Sequence, residues 1–172
     1  MRQIALDTET TGLEPQEGHR IVEVACVEIV DRSITECSFQ TTIDPQRKVD
    51  EGARKIHGYT WGMLQDSPLF ADICDELITF VQGAQILIHN AKFDLKFLDS
   101  ELQRLDRKNF LTEAKCTVAD TLKMAKRRHL QPRTLDALCD RYGINRRHRK
   151  LHGALKDARL LAQVYLAMTK GK

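Results

Sequence analysis

Asp7 and Glu9 lie in the segment Gln3-Ile4-Ala5-Leu6-Asp7-Thr8-Glu9. The alternation of an extended strand puts both acids on one face and Ile4 and Leu6 on the other. Two ionised carboxylates one pleat apart repel each other, and a cation between them relieves the repulsion. By itself an Asp-x-Glu pair more often marks a solvated strand end than a site. Two further acids shift that balance. In the helical segment from Ala91, Phe97, Leu98, Leu102 and Leu105 form a core-facing stripe, and Asp94 falls on it. Compensation of the helix dipole explains an acid in a first turn, but not its placement on the apolar face. In the last helical segment the stripe is Ala154, Ala158, Leu161, Ala162, Tyr165 and Met168, and Asp157 lies within it.

His152 precedes Asp157 by five residues. On one continuous helix that spacing separates the two side chains by about 140°. They converge only if His152 sits at the helix mouth, outside regular structure; a capping or surface histidine is the plainer alternative.

Together Asp7, Glu9, Asp94 and Asp157 carry a formal charge of −4, matching two divalent cations. Oxygen donors suit Mg²⁺ or Mn²⁺ better than Zn²⁺, and no Cys or His cluster argues otherwise. Two such ions promote in-line attack of water on a phosphodiester, and a neutral histidine nearby can take the water's proton.

The elements that must position these residues follow an order of β-β-β-α-β-α-β-α-α-α. Strands are expected at residues 3–7, 20–31, 34–43, 85–88 and 115–119, with a hairpin turn at Asp31-Arg32-Ser33. Helices are expected from Ser67-Pro68 to Gly83, from an Asn90 cap through 91–105, from an Asp120 cap to 128, from Thr134 to 142, and over 153–169. Asp120 and Asp136 read as cap and helix surface rather than as ligands. The first three strands need no long crossover, so the fold class is α/β with a central mixed five-stranded sheet flanked by helices.

The 172 residues fit a single domain, 42% hydrophobic and 30% charged, an ordinary soluble profile. No apolar run reaches a membrane span and the N-terminus lacks a signal-peptide core, so no membrane partner and a cytoplasmic location are expected. Cys26, Cys37, Cys74, Cys116 and Cys139 are scattered, which suggests small core residues in a reducing compartment. The net charge of +3 is unevenly spread: from Lys123 to Lys150 three Lys and seven Arg oppose only Asp136 and Asp140. Arg127, Arg128, Arg146, Arg147 and Arg149 are candidate phosphate contacts, though such a run is as readily a solvated face.

Asp7-Thr8-Glu9-Thr10-Thr11-Gly12, His89-Asn90-Ala91-Lys92-Phe93-Asp94 and His152-Gly153-Ala154-Leu155-Lys156-Asp157 resemble the three motifs of the DnaQ-type (DEDDh) exonucleases. Leu135–Ile144 is similar to the segment leading into the third motif. The resemblance spans essentially the whole chain and is strongest to the proofreading epsilon subunits of bacterial DNA polymerase III. It implies a ribonuclease H-like fold, two divalent metals, and release of nucleoside 5′-monophosphates from a single-stranded or frayed DNA 3′ end. By position Asp7, Glu9, Asp94 and Asp157 would be metal ligands and His152 the general base. Thr10, Gly12, Leu13, His57, Asn90 and Phe93 would contact the terminal nucleotide. Two departures stand out: a short loop at Leu13–Gly18, and Tyr59 where an aliphatic residue is usual. Contacts to the polymerase III alpha subunit and the sliding clamp would need a tail that does not occur in these 172 residues. An RNA-trimming nuclease and a non-catalytic nucleic-acid-binding module are the competing readings.

Overall fold

The computed structural model describes residues 1–147 and 150–171. Strands β1 (Arg2–Thr10), β2 (Ile21–Val30), β3 (Ser33–Thr42), β4 (Gln85–Ile88) and β5 (Thr117–Asp120) form one sheet in the order β3-β2-β1-β4-β5. β1 pairs antiparallel with β2 and parallel with β4. β2–β3 is antiparallel and β4–β5 parallel, so the sheet is mixed as expected. The β2–β3 hairpin turns on Asp31 (φ 47°) and Arg32 (φ 67°), the two successive positive φ angles that suit the twist of a tight hairpin.

Helices cover both faces. On one, α3 (Phe70–Val81) and α4 (Ala91–Gln103) bury Phe70, Leu77, Phe97 and Leu98 against Ile4, Leu6, Val24, Cys26 and Ile86. On the other, Ala154, Ala158 and Ala162 of α8 (Ala154–Met168) meet Ala5 and Ala25. Small side chains on both partners allow close approach of helix and sheet. Behind α8, α6 (Thr121–Arg127) and α7 (Leu135–Arg141) contribute Ala125, Leu138 and Cys139 against Leu160, Val164 and Met168. α8 is therefore buried on two sides, and its first turn is held between the sheet and the rest of the domain.

Several boundaries differ from expectation. β1 runs to Thr10, so Asp7 and Glu9 lie within the strand rather than at and beyond its end. α3 begins at Phe70, and Ser67 is not its cap: its hydroxyl bonds that of Thr42, while Asp72 accepts from the Leu69 N–H. Three short helices were not anticipated, α1 (Glu51–His57), α2 (Trp61–Leu64) and α5 (Phe110–Glu113). Asp120 and Thr134 cap α6 and α7 as expected. Asn90 does not cap α4: it has φ 68° and its side chain makes no cap bond. The Asp120 carboxylate takes that role, accepting from the Asn90 and Ala91 N–H groups at 3.3 and 3.1 Å. Cys26, Cys74 and Cys139 are buried and Cys116 half-buried, but Cys37 is exposed on β3, contrary to the reading of all five as core.

Candidate active site

β4 pairs with β1 only from Gln3 to Ala5. Beyond Ala5, that edge of β1 needs another source of acceptors for its N–H groups. Asp94, in the first turn of α4, supplies one. Its Oδ1 accepts from the Thr8 N–H at 3.1 Å and the Thr8 hydroxyl at 2.7 Å. The acid is 4% exposed. Burial pushes its carboxyl up to about 7, against the opposing pull of the Thr8 donors.

On the α8 side, His152 lies just before the helix, and Gly153 is the cap residue. The backbone N–H of His152 donates to the Ile56 carbonyl at 2.9 Å, which ties this segment to α1. Its Nδ1 stands 3.2 Å from Asp157 Oδ2. The non-helical position of His152 is what lets the pair converge, as the spacing required. One ligating atom each from Glu9, His152 and Asp157 lie within 4.8 Å of one another. Glu9 and Asp157 are buried, whereas the His152 side chain is 46% exposed. Asp7 is half-buried one pleat from Glu9 on the same strand face, and Asp94 reaches this strand through Thr8, between the two acids. Among the described residues the group close enough to hold one metal ion together is Glu9, His152 and Asp157; Asp7 and Asp94 are not part of it.

A cleft of about 550 Å³ opens beside this cluster, lined by Thr10, Gly12, Leu13, His57, Phe93 and His152 among others. Five of the six expected nucleotide contacts thus line one cavity; Asn90, at the start of α4, is not among its lining residues. Leu13 and Ile56 are exposed and give the cleft apolar edges. Gly12 is required by a close approach, since a Cβ there would lie 2.2 Å from the His19 ring. His57 is 6% exposed with both ring nitrogens engaged. Nε2 lies 2.9 Å from the Thr10 carbonyl, and Nδ1 accepts from the Tyr59 N–H at 3.1 Å. These partners define a neutral ring protonated at Nε2.

Burial holds the His57 and His89 imidazoles below their ordinary value of 6.5. Above that pH both are neutral in either state and contribute nothing. As the pH falls below 6.5 the unfolded chain takes up protons that the folded chain does not, so stability drops. Each histidine is expected to contribute a slope of at most about 1.4 kcal/mol per pH unit. Urea denaturation of the wild type and of a His57→Gln/His89→Gln variant between pH 7.5 and 5 measures this. The variant should show the shallower acid loss; equal slopes would refute the assignment.

Two arginines of the basic stretch are engaged within the domain. Arg128 donates to the Met168 carbonyl at the end of α8. Arg146 pairs through two nitrogens with Asp140, at 3.0 and 2.8 Å. Arg127 and Arg147 are exposed, and Arg149 lies outside the described residues. Two residues near the site were not among the expected site residues: Glu23, 1% exposed on β2, and Tyr59, noted in sequence only as a departure, whose hydroxyl donates to Glu23 at 2.7 Å.

The sequence model of the RNase T-type exonuclease family matches residues 4–165. The chain belongs to this exonuclease family. Among curated relatives, the DNA polymerase III subunit epsilon of Pasteurella multocida is 49% identical over 176 residues, covering 99% of this chain and 69% of the relative. The subunit of the same name from Rickettsia prowazekii is 46% identical over 173 residues, covering 100% and 76%. Among solved structures, exonuclease X in complex with 5′ overhanging duplex DNA superposes with a TM-score of 0.74 at 26% identity, covering 99% of this chain and 93% of that one. The fold is ribonuclease H-like and the activity is that of a 3′→5′ exonuclease. Among the described residues no helix is long and apolar enough to cross a membrane.

Proposed function

We propose that this exonuclease removes nucleoside 5′-monophosphates from DNA 3′ ends, in the cytoplasm, as the proofreading activity of a replicative polymerase of the polymerase III type. The observation that carries this reading is the meeting of Glu9, Asp157 and His152 within 4.8 Å beside an apolar-edged cleft. Asp7, Glu9, Asp94 and Asp157 would hold two Mg²⁺ or Mn²⁺ ions. When bound, such ions supply an activated water and neutralise charge on the phosphate in flight.

The chain's own residues set the geometry. Asp157 Oδ2, facing His152 Nδ1 at 3.2 Å, favours the tautomer with hydrogen on Nδ1. Nε2 then holds the lone pair that takes the water's proton. Leu13, Ile56 and Phe93 offer apolar surface to a terminal base, and Thr10 and Gly12 line the same cleft. Similarity to subunits named for a DNA polymerase supports DNA rather than RNA as the substrate. Matched single-stranded DNA and RNA oligonucleotides with Mg²⁺ or Mn²⁺ test this. Faster mononucleotide release from the DNA 3′ end is expected, and a large preference for RNA would replace proofreading with RNA trimming.

A further inference from the structure

Glu23 is a fifth acid beside the site. In the β1–β2 ladder it stands directly opposite Glu9, so the two side chains share a sheet face. Among the described residues, the groups hydrogen-bonded to it are all donors. The Ala154 N–H donates to Oε1 at 2.6 Å; the Tyr59 hydroxyl and the Gln40 amide donate to Oε2 at 2.7 and 3.1 Å. Ala154 is the first residue of α8, where an N–H has no partner within the helix and a carboxylate also meets the positive end of the dipole. Gly153 makes no side-chain cap, so the cap of this helix comes from β2.

Tyr59 completes a circuit. Its N–H donates to His57 Nδ1, and His57 Nε2 bonds the carbonyl of Thr10, the residue after Glu9. Its hydroxyl engages Oε2 of Glu23 and leaves Oε1 for Ala154. From β1 through His57, Tyr59 and Glu23 to α8, hydrogen bonds bracket the segment that presents His152 and Asp157.

Resting on the exonuclease reading, we propose that Tyr59 and Glu23 are positioning residues: they fix the start of α8 against β1 and so set His152 and Asp157 relative to Glu9. Neither touches the reacting phosphate. A site of this kind requires its groups held to within about 0.5 Å, so loosening the clamp should lower turnover and leave substrate affinity unchanged.

Glu23→Ala removes a buried cap and endangers the fold, so Tyr59→Phe is the deciding variant, with Glu23→Gln beside it. Tyr59→Phe is expected to lower kcat about 3- to 10-fold with KM and thermal midpoint near wild type. Exchange of the Ala154 amide hydrogen should be faster in the same variant. Glu23→Gln, which keeps an acceptor oxygen but loses the charge-assisted bonds, should lower kcat at least as much. Wild-type kcat in Tyr59→Phe, or a kcat loss matched by a fall in thermal midpoint, would overturn the proposal. Unchanged Ala154 exchange would overturn it whatever the turnover. Absence of metal-dependent hydrolysis in the wild-type protein would instead count against the exonuclease reading, because the exchange measurement reads the clamp without turnover.

Discussion

Asp157→Asn should reduce divalent-metal-dependent mononucleotide release by about 10³-fold or more, while the protein stays folded and still binds oligonucleotide. The substitution keeps the shape of a side chain that is 3% exposed, so packing in the first turn of α8 is preserved. What it removes is one of four negative charges and an oxygen that faces His152. Metal stabilisation of a transferring phosphoryl group is worth several kcal/mol, and a loss of about 4 kcal/mol corresponds to the stated factor. The amide brings no negative charge to a metal ion and offers the imidazole no charge partner. Wild-type turnover in this variant would remove the two-metal mechanism, whereas absence of metal-dependent release from the wild-type protein would favour a non-catalytic binding module. The measurement is single-turnover release from a labelled DNA 3′ end in Mn²⁺, with thermal denaturation as the folding control.

The acids at Asp94 and Asp157 were legible because helical periodicity fixes which face a residue occupies, and both fall on the apolar one. Their 4% and 3% exposures bear out that reading. For His152 the spacing gave only a condition, that it must lie outside the helix to meet Asp157, and its role came from the family resemblance. Face and spacing are local rules, which a sequence states directly.

What stayed hidden depends on contacts across the fold. Asn90 occupies the usual place for a cap, yet the capping oxygens come from Asp120, thirty residues away at the end of the adjacent strand. Nothing local reveals that β4 and β5 end side by side. α1 has no apolar stripe to detect: of its seven residues only His57 is buried. Glu23 sits among strand residues where an acid reads as solvent-facing, but α8 covers that face. A polar residue opposite Glu9 in a doubly covered strand is the signal that could have found it, and it needs the register of β1 and β2.

Arg20→Ala should destabilise the protein by about 3–5 kcal/mol, far more than an exposed ion pair would account for. The Arg20 guanidinium donates through Nε and one terminal nitrogen to the two oxygens of Glu101, each at 2.7 Å. The Glu101 side chain is 3% exposed, and Oε1 also lies 3.3 Å from the Ile21 N–H. Removing the arginine leaves a buried carboxylate with one weak backbone donor. Arg20→Lys keeps the charge but loses the planar fork, so an intermediate loss is expected. Replacing both partners, as Arg20→Met/Glu101→Leu, should recover much of the stability, because the main penalty is the stranded charge rather than the missing pair. Urea denaturation of the single and double variants closes the cycle, and a cost below about 1 kcal/mol for Arg20→Ala would show the pair to be solvated in effect. The position of the pair gives it a second consequence. It joins the start of β2 to α4, and the Arg20 backbone bonds Thr11 at the end of β1. α4 carries Asp94 in its first turn, so a helix released at Glu101 also loosens the acid held against Thr8. Arg20→Met/Glu101→Leu should therefore regain stability more completely than it regains turnover.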